Sequence, residues 1–240
     1  MSSRQLPLGI RLRDTSVFSS YFAGRNQTVV DVLQSLATHV RGAASGVSAT
    51  PTCIWLHGPA SVGKTHLLQA VCAREDVASA TAYIPLREVE ALGSDLLSGY
   101  GDFAIVCLDD AEAVAGHSDW ERAVFRLHQE LHERGGHLVL SGAAPPATLG
   151  FKLPDLASRL GGGLVLMLQP LDENGQMHAL QLRAGLRGFE LPDETAQFLV
   201  RRLPRDMASL CAFLDELDEA SLIAQRRLTV PFVKEVMERQ

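Results

Sequence analysis

Apolar and polar positions follow two regimes along the chain. Between Thr52 and Pro170, short apolar runs alternate with stretches whose apolar residues recur every three or four positions. The runs predict buried strands at Cys53–His57, Thr81–Leu86, Phe103–Leu108, His137–Leu140 and Leu164–Leu168. The three-to-four spacing predicts helices at Lys64–Arg74, with Leu67, Leu68, Val71 and Cys72 inward, and at Glu88–Leu97. A longer helix is capped by Ser118 and stopped by Gly135-Gly136, with Trp120, Val124, Leu127 and Leu131 on one face. Continuous apolar strands separated by helices imply an α/β fold, a parallel five-stranded sheet covered on both faces.

Either side of this block the pattern differs. Residues 1–26 show no period, and Asn26 is placed to cap a helix marked by Val29, Leu33, Leu36 and Val40. Arg41 to Thr50, rich in Gly, Ala and Ser, predicts a loop. After Pro170 no strand pattern recurs. Helical patterns cover about 173–187, 193–203, 206–226 and 230–240. Ala179, Leu182 and Leu186 mark the first of these, and Leu210, Phe213, Leu214 and Leu217 the third. Short helices with tight links predict a small all-α bundle. The expected organisation is an irregular N-terminal segment at 1–26, an α/β core at 27–171 and a helical domain at 172–240.

Composition narrows the function. With 46% apolar and 21% charged residues over 240 positions, the chain is globular. Lys plus Arg number 22 against 28 Asp plus Glu, a net charge of −6, so strong direct DNA or RNA binding is not expected. No run approaches the roughly 18 apolar residues of a membrane span. The stretch Met1 to Arg13 has Arg4, Arg11 and Arg13 but no apolar centre, so it does not read as a secretory leader. Cys53, Cys72, Cys107 and Cys211 are scattered and read as reduced core residues of a cytoplasmic protein. His128 and His132 stand one helical turn apart without a third ligand, which fits a solvated helix face rather than a metal site.

One motif carries chemistry directly. Gly58-Pro59-Ala60-Ser61-Val62-Gly63-Lys64-Thr65 follows a predicted strand and opens a predicted helix. In that setting the glycines let backbone N–H groups wrap phosphates, and the helix N-terminus adds positive potential. Lys64 neutralises the terminal phosphates and Thr65 offers a hydroxyl to Mg²⁺. Asp109 and Asp110 follow the wholly apolar strand Phe103–Leu108. The first acid is placed to hold the metal through water, and the second to polarise an attacking water; solvated turn carboxylates are the simpler alternative. His57 and His66 flank the loop and read as packed or hydrogen-bonded groups.

These two motifs, with the helical tail, resemble the AAA+ ATPases, and further segments resemble the Hda family of DnaA-homologous regulators that inactivate the replication initiator. The segments are Gln5-Leu6-Pro7-Leu8, Phe18 to Asn26, Gly63 to Leu68, Leu153 to Leu160, Leu180 to Ala184 with Arg187 to Pro192, and Ala224 to Glu235. The similarity spans essentially the whole chain. It implies an AAA+ P-loop core with a small all-α lid. It also implies an ADP- or ATP-bound, Mg²⁺-dependent protein, mainly in the ADP state, recruited by the DNA polymerase sliding clamp (beta subunit) to stimulate ATP hydrolysis by DnaA.

By position, the resemblance makes Arg159 an arginine finger acting in trans, Arg205 the second sensor and Ser141 the first. The segment after Ser141, Gly142-Ala143-Ala144, is less polar than that role suggests. Tyr21, Phe22, Ala23 and Gly24 would line the adenine pocket, with His66 joining Gly58, Ser61, Val62, Gly63, Lys64 and Thr65 around the nucleotide. Gln5, Leu6, Leu8 and Ile10 would bind the clamp, and Gly9 departs from the Pro or hydrophobe expected there. No helix-turn-helix follows the helical tail, so the DNA-reading role of DnaA is not expected. A homo-oligomer is compatible with an Arg159 edge. The alternative reading is a self-sufficient ATPase of the DnaA/DnaC helicase-loader type, favoured by the complete P-loop and Asp110.

Overall fold

The computed structural model describes residues 16–40, 51–74, 77–224 and 226–238. Short 3-10 turns at Phe18–Ser20 and Gly24–Asn26 lead into α1 (Gln27–Val40). The α/β layers comprise β1 (Cys53–His57), α2 (Lys64–Cys72), β2 (Thr81–Pro85), α3 (Leu86–Val89), β3 (Ile105–Asp109), α4 (Ser118–Arg134), β4 (His137–Gly142), α5 (Pro154–Gly162) and β5 (Leu164–Met167). All four strand pairings are parallel, in the order β2-β3-β4-β1-β5. The β1–β4 register sets Leu56 opposite Ser141 and His57 opposite Gly142. That brings the end of β1 beside the first-sensor position.

Alternation along the strands explains the continuous apolar runs. Ile54, Leu56, Ile105, Cys107 and Val139 pack with Leu33, Leu36, Leu67 and Leu68 of α1 and α2. Trp55, Val106, Leu108, Leu138 and Leu140 pack on the other face with Trp120, Val124, Leu127 and Leu131 of α4 and with Leu156 and Leu160 of α5. The central strands therefore have helices to meet on both faces, as a two-faced parallel sheet requires, while the edge strand β5 is only partly covered and Met167 is exposed.

Beyond Pro170 lie α6 (Glu173–Leu186), α7 (Asp193–Arg202), α8 (Met207–Ala224) and α9 (Val230–Met237), around a third apolar cluster. Leu210, Phe213, Leu214 and Leu217 of α8 are all buried in it, as their spacing predicts. On α6 the predicted face is corrected. Leu180 and Ala184 are buried, Leu182 is half-buried and Leu186 is 55% exposed. A different stripe of α6, Gln176, Ala179 and Arg183, faces a cavity.

Five further expectations change. The predicted helix Glu88–Leu97 is one turn, α3, followed by 3-10 turns, because Gly93 takes a left-handed φ of 89° between them. Ser118 is the first residue of α4 rather than its cap, which is His117. Asn26 does not cap α1; its side chain reaches the far end of β5. Cys53, Cys72 and Cys107 are buried, whereas Cys211 is half-buried and lines the cavity. His128 is buried, not solvated, and its ring stacks on that of His132. Among the described residues, no helix is long and apolar enough to cross a membrane.

Candidate nucleotide site

The loop Gly58–Gly63 joins β1 to α2 and forms the floor of a two-lobed cavity. A Cβ on Gly58 would stand 2.6 Å from the Leu168 carbonyl oxygen, so only glycine lets the loop leave β1 beside the end of β5. Gly63 has φ 97°, and a Cβ there would lie 2.6 Å from the Tyr21 ring. The two non-glycine residues with positive φ among the described residues are Ser61 (59°) and Asp110 (56°). Both sit at this cavity. Left-handed backbone at such residues costs roughly 1–3 kcal/mol and gathers at functional sites.

The apolar lobe, about 250 Å³, is lined by Tyr21, Phe22, Val62, Leu171, Met207 and Arg205, among others. Tyr21 is fixed twice: its hydroxyl donates to the Val62 carbonyl (3.3 Å) and accepts from Asn26 Nδ2 (3.3 Å). Burial pushes its phenol up to about 12, so it is a neutral donor at all working pH values. Asn26 also clasps Gln169, donating to its carbonyl at 2.9 Å and accepting from its N–H at 2.8 Å. Phe22 stacks on His178 of α6, ring centroids 5.5 Å apart. Gly24 lies just outside this lobe, in a neighbouring cleft with Leu171 and His178. Asp206 caps α8 through the Ser209 N–H (2.9 Å), and that bond chiefly holds its carboxyl below the usual range, with Ser61 also contributing.

The polar lobe, about 730 Å³, runs past Lys64, Thr65 and His66 to Asp110 and Arg87. Lys64 Nζ donates to the Gly58 and Pro59 carbonyls at 2.8 and 2.9 Å, folded over its own loop. His66 Nε2 lies 3.0 Å from the Val17 carbonyl and its ring packs against Tyr21. Burial lowers its pKa, partly offset by that hydrogen bond, so the ring is neutral near pH 7.

The two acids part company. Asp109 is 2% exposed and sits beneath the cavity wall. Its Oδ2 accepts from the Tyr83 hydroxyl at 2.8 Å, and its Oδ1 accepts from the Ser141 hydroxyl and from the Asp110 N–H at 3.2 Å. Burial and then the charge of Asp109 push the Tyr83 phenol upward, which keeps it a donor. Ser141, fully buried, also accepts from the Asp110 N–H at 3.0 Å. Asp110 faces the cavity but is held by Arg87 Nε at 3.1 Å.

Sequence reasoning thus finds the loop, both acids and Ser141, and these converge. Arg205 joins them at the apolar lobe. Arg159 does not. It is exposed on α5, its guanidinium 5.3 Å from the centroid of the Phe125 ring on α4, and it lines neither lobe. The clamp-like residues Gln5, Leu6, Leu8 and Ile10, and the predicted 41–50 loop, lie outside the described residues. Sequence reasoning misses Tyr83, Arg87 and Glu121. Glu121, 1% exposed on α4, accepts from the N–H groups of Gly116 (2.6 Å), Lys152 (3.0 Å) and Leu153 (2.7 Å), and so fixes the chain entering α5. An acid among apolar helix positions is the one signal that pointed to it.

The site's components suit a polyphosphate: a strained amide-rich loop, a helix N-terminus, an ammonium and a hydroxyl. A metal would be held by Thr65 and, through water, Asp109. No three His, Cys, Asp or Glu side chains among the described residues form a metal cluster by themselves.

Residues 12–167 match the bacterial DnaA ATPase domain. The chain belongs to the bacterial DnaA ATPase-domain family. Within that family it is Hda-like, since residues 163–237 match the Hda lid domain. Solved structures agree on the fold. Domain III of the Thermotoga maritima replication initiation protein DnaA superposes with TM-score 0.79 at 20% identity, covering 95% of this chain and 98% of that one. AMPPCP-bound DnaA from Aquifex aeolicus gives 0.71 at 17%, covering 86% and 65%. The RuvB Holliday junction branch migration motor of Thermotoga maritima gives 0.56 at 16%, covering 87% and 68%. The DnaA-like AAA+ core and its helical lid are therefore the frame in which this cavity sits.

Proposed function

We propose that this protein is a negative regulator of chromosomal replication initiation. It binds ADP or ATP with Mg²⁺ in its own P-loop cavity and stimulates ATP hydrolysis by DnaA, supplying Arg159 in trans. The observation that carries this reading is the separation of two functions on one chain. The phosphate loop is complete and lines its own cavity, while Arg159 stands outside that cavity, exposed and braced on Phe125. A ring under a guanidinium attracts it while leaving its N–H edge open to a partner. An arginine finger is worth ~10³–10⁵ in rate, which at ~1.4 kcal/mol per decade is about 4–7 kcal/mol of barrier.

The remaining elements follow the same reading. Residues 27–171 act as the nucleotide-binding core and 172–240 as the lid. Arg205 is a second sensor, approaching this chain's own nucleotide from the apolar lobe. Asp109 and Ser141 form the layer that orients Mg²⁺-bound water. Gln5–Ile10 recruits the protein to the sliding clamp in the cytoplasm, and the net charge of −6 leaves DNA contact to the clamp and DnaA. Self-association through the Arg159 edge would hide the finger.

The self-sufficient ATPase is less well supported. Asp110 is engaged by Arg87 rather than free to polarise water. The test is ATP-loaded DnaA mixed with clamp-loaded DNA and this protein, following phosphate release. Stimulation that needs the clamp and is lost on removing residues 1–10 supports the proposal. Robust turnover by this protein alone, abolished by Asp110→Asn, supports the alternative instead.

A further inference from the structure

We propose that Arg183, on the lid helix α6, is a nucleotide-binding residue whose Nε–H donates to a phosphate oxygen, and that its ion pair with Asp215 carries this contact into α8. The proposal rests on the P-loop cavity being the nucleotide site. Arg183 borders both lobes, so its guanidinium stands where the apolar chamber opens onto the phosphate loop. The α6 stripe facing the cavity is Gln176, Ala179 and Arg183. Gln176 is committed to the Arg205 carbonyl at 3.1 Å, and Ala179 offers nothing polar. Arg183 is the group on that stripe with an unused donor: its Nε is buried and has no hydrogen-bond acceptor among the described residues.

A buried guanidinium donor without an acceptor is costly, because arginine does not lose its proton. Its charge is also under-neutralised. Arg183 Nη2 lies 3.3 and 3.4 Å from the two oxygens of Asp215, long contacts for an ion pair. The same carboxylate takes Arg187 at 2.7 Å, so one Asp215 is shared between two cations. Arg187 reaches Asp218 only at 3.6 Å. An anion at the junction of the lobes would satisfy both the orphaned N–H and the excess charge. Because Asp215 belongs to α8, whose capping residue Asp206 lines the same apolar lobe as the P-loop residue Ser61, filling the cavity would draw α6 and α8 toward the loop.

Fluorescent ADP titration of the full chain tests this, with Arg183→Gln, Arg183→Lys and Lys64→Ala beside the wild type. Arg183→Gln should raise the dissociation constant about 10- to 100-fold, as expected for losing a hydrogen bond to a charged group. Arg183→Lys keeps a cation for Asp215 but lacks Nε–H, and should still weaken ADP at least several-fold. Its thermal midpoint without nucleotide should match the wild type while the ADP-induced rise shrinks. Should Arg183→Gln fail to fold, Arg183→Lys decides. The proposal is overturned if Lys64→Ala loses ADP while the Arg183 variants bind within twofold of wild type. If Lys64→Ala binds normally, the P-loop reading itself fails, and the two failures are told apart.

Discussion

Replacing Asn26 with alanine should open the apolar lobe from behind. The Asn26 side chain is 2% exposed and joins two segments 143 residues apart, accepting from the Gln169 N–H at 2.8 Å and donating to its carbonyl at 2.9 Å. Its amide also donates to the Tyr21 hydroxyl, which in turn bonds to the P-loop at Val62. Each neutral hydrogen bond is worth about 1 kcal/mol net, and a backbone N–H left without a partner costs about 1–3 kcal/mol. Two bonds to Gln169, with partial relief by water, give roughly 2–4 kcal/mol. For a chain of this size that is a drop of about 5–15 °C in thermal midpoint. Gln27→Ala is the control. Its Nε2 bonds Asp31 at 2.8 Å on an exposed helix face, a contact worth about 0.2–0.5 kcal/mol, so its midpoint should scarcely move. Circular dichroism melts measure both, and ADP titration reads the cavity wall, where Asn26→Ala should bind more weakly. A melt for Asn26→Ala indistinguishable from Gln27→Ala would refute the clasp as the support of Tyr21.

Other perturbations test neighbouring parts. Gly63→Ala places a methyl 2.6 Å from the Tyr21 ring at φ 97°, and should cost at least 1–2 kcal/mol of stability and most ADP binding, read by melt and titration. Lowering pH should destabilise the fold through His66. Its folded pKa lies below the unfolded value of about 6.5, so stability is complete above that value and is lost as pH falls toward the folded one. The midpoint should drop between pH 7.5 and 5.5, and the drop should shrink in His66→Gln. Glu121→Ala strands three N–H groups at the entry to α5 and should lower stability by about 3–5 kcal/mol, seen as a lower urea midpoint; Glu133→Ala, exposed on the same helix, should not.

How much of this was legible in the sequence depends on range. The phosphate loop is contiguous, its residue types are dictated by backbone chemistry, and the flanking strand and helix are strongly periodic, so motif and context could be read together. The strands and α8 were legible for the same reason. The clasp of Asn26 on Gln169, the Tyr83 bond to Asp109 and the Glu121 bonds to Lys152 and Leu153 join distant segments. No local period encodes those pairings. Asn26 looked like a helix cap because an amide before an apolar period fits that role locally; tertiary bonding to β5's end won. The α6 face differs from its pattern because that helix carries leucines on more than one side: Leu180 and Ala184 enter the lid cluster, while the half-buried Leu182 and exposed Leu186 do not. Arg183 stayed hidden for the same reason.

The most direct measurement is single-turnover hydrolysis of ATP held by DnaA, in the presence of clamp-loaded DNA, with wild-type protein and with Arg159→Ala. Arg159→Ala should bind ADP and clamp as the wild type does, yet lose at least a hundredfold of the stimulation. Full stimulation by Arg159→Ala would contradict the proposal that this exposed guanidinium completes another protein's active site.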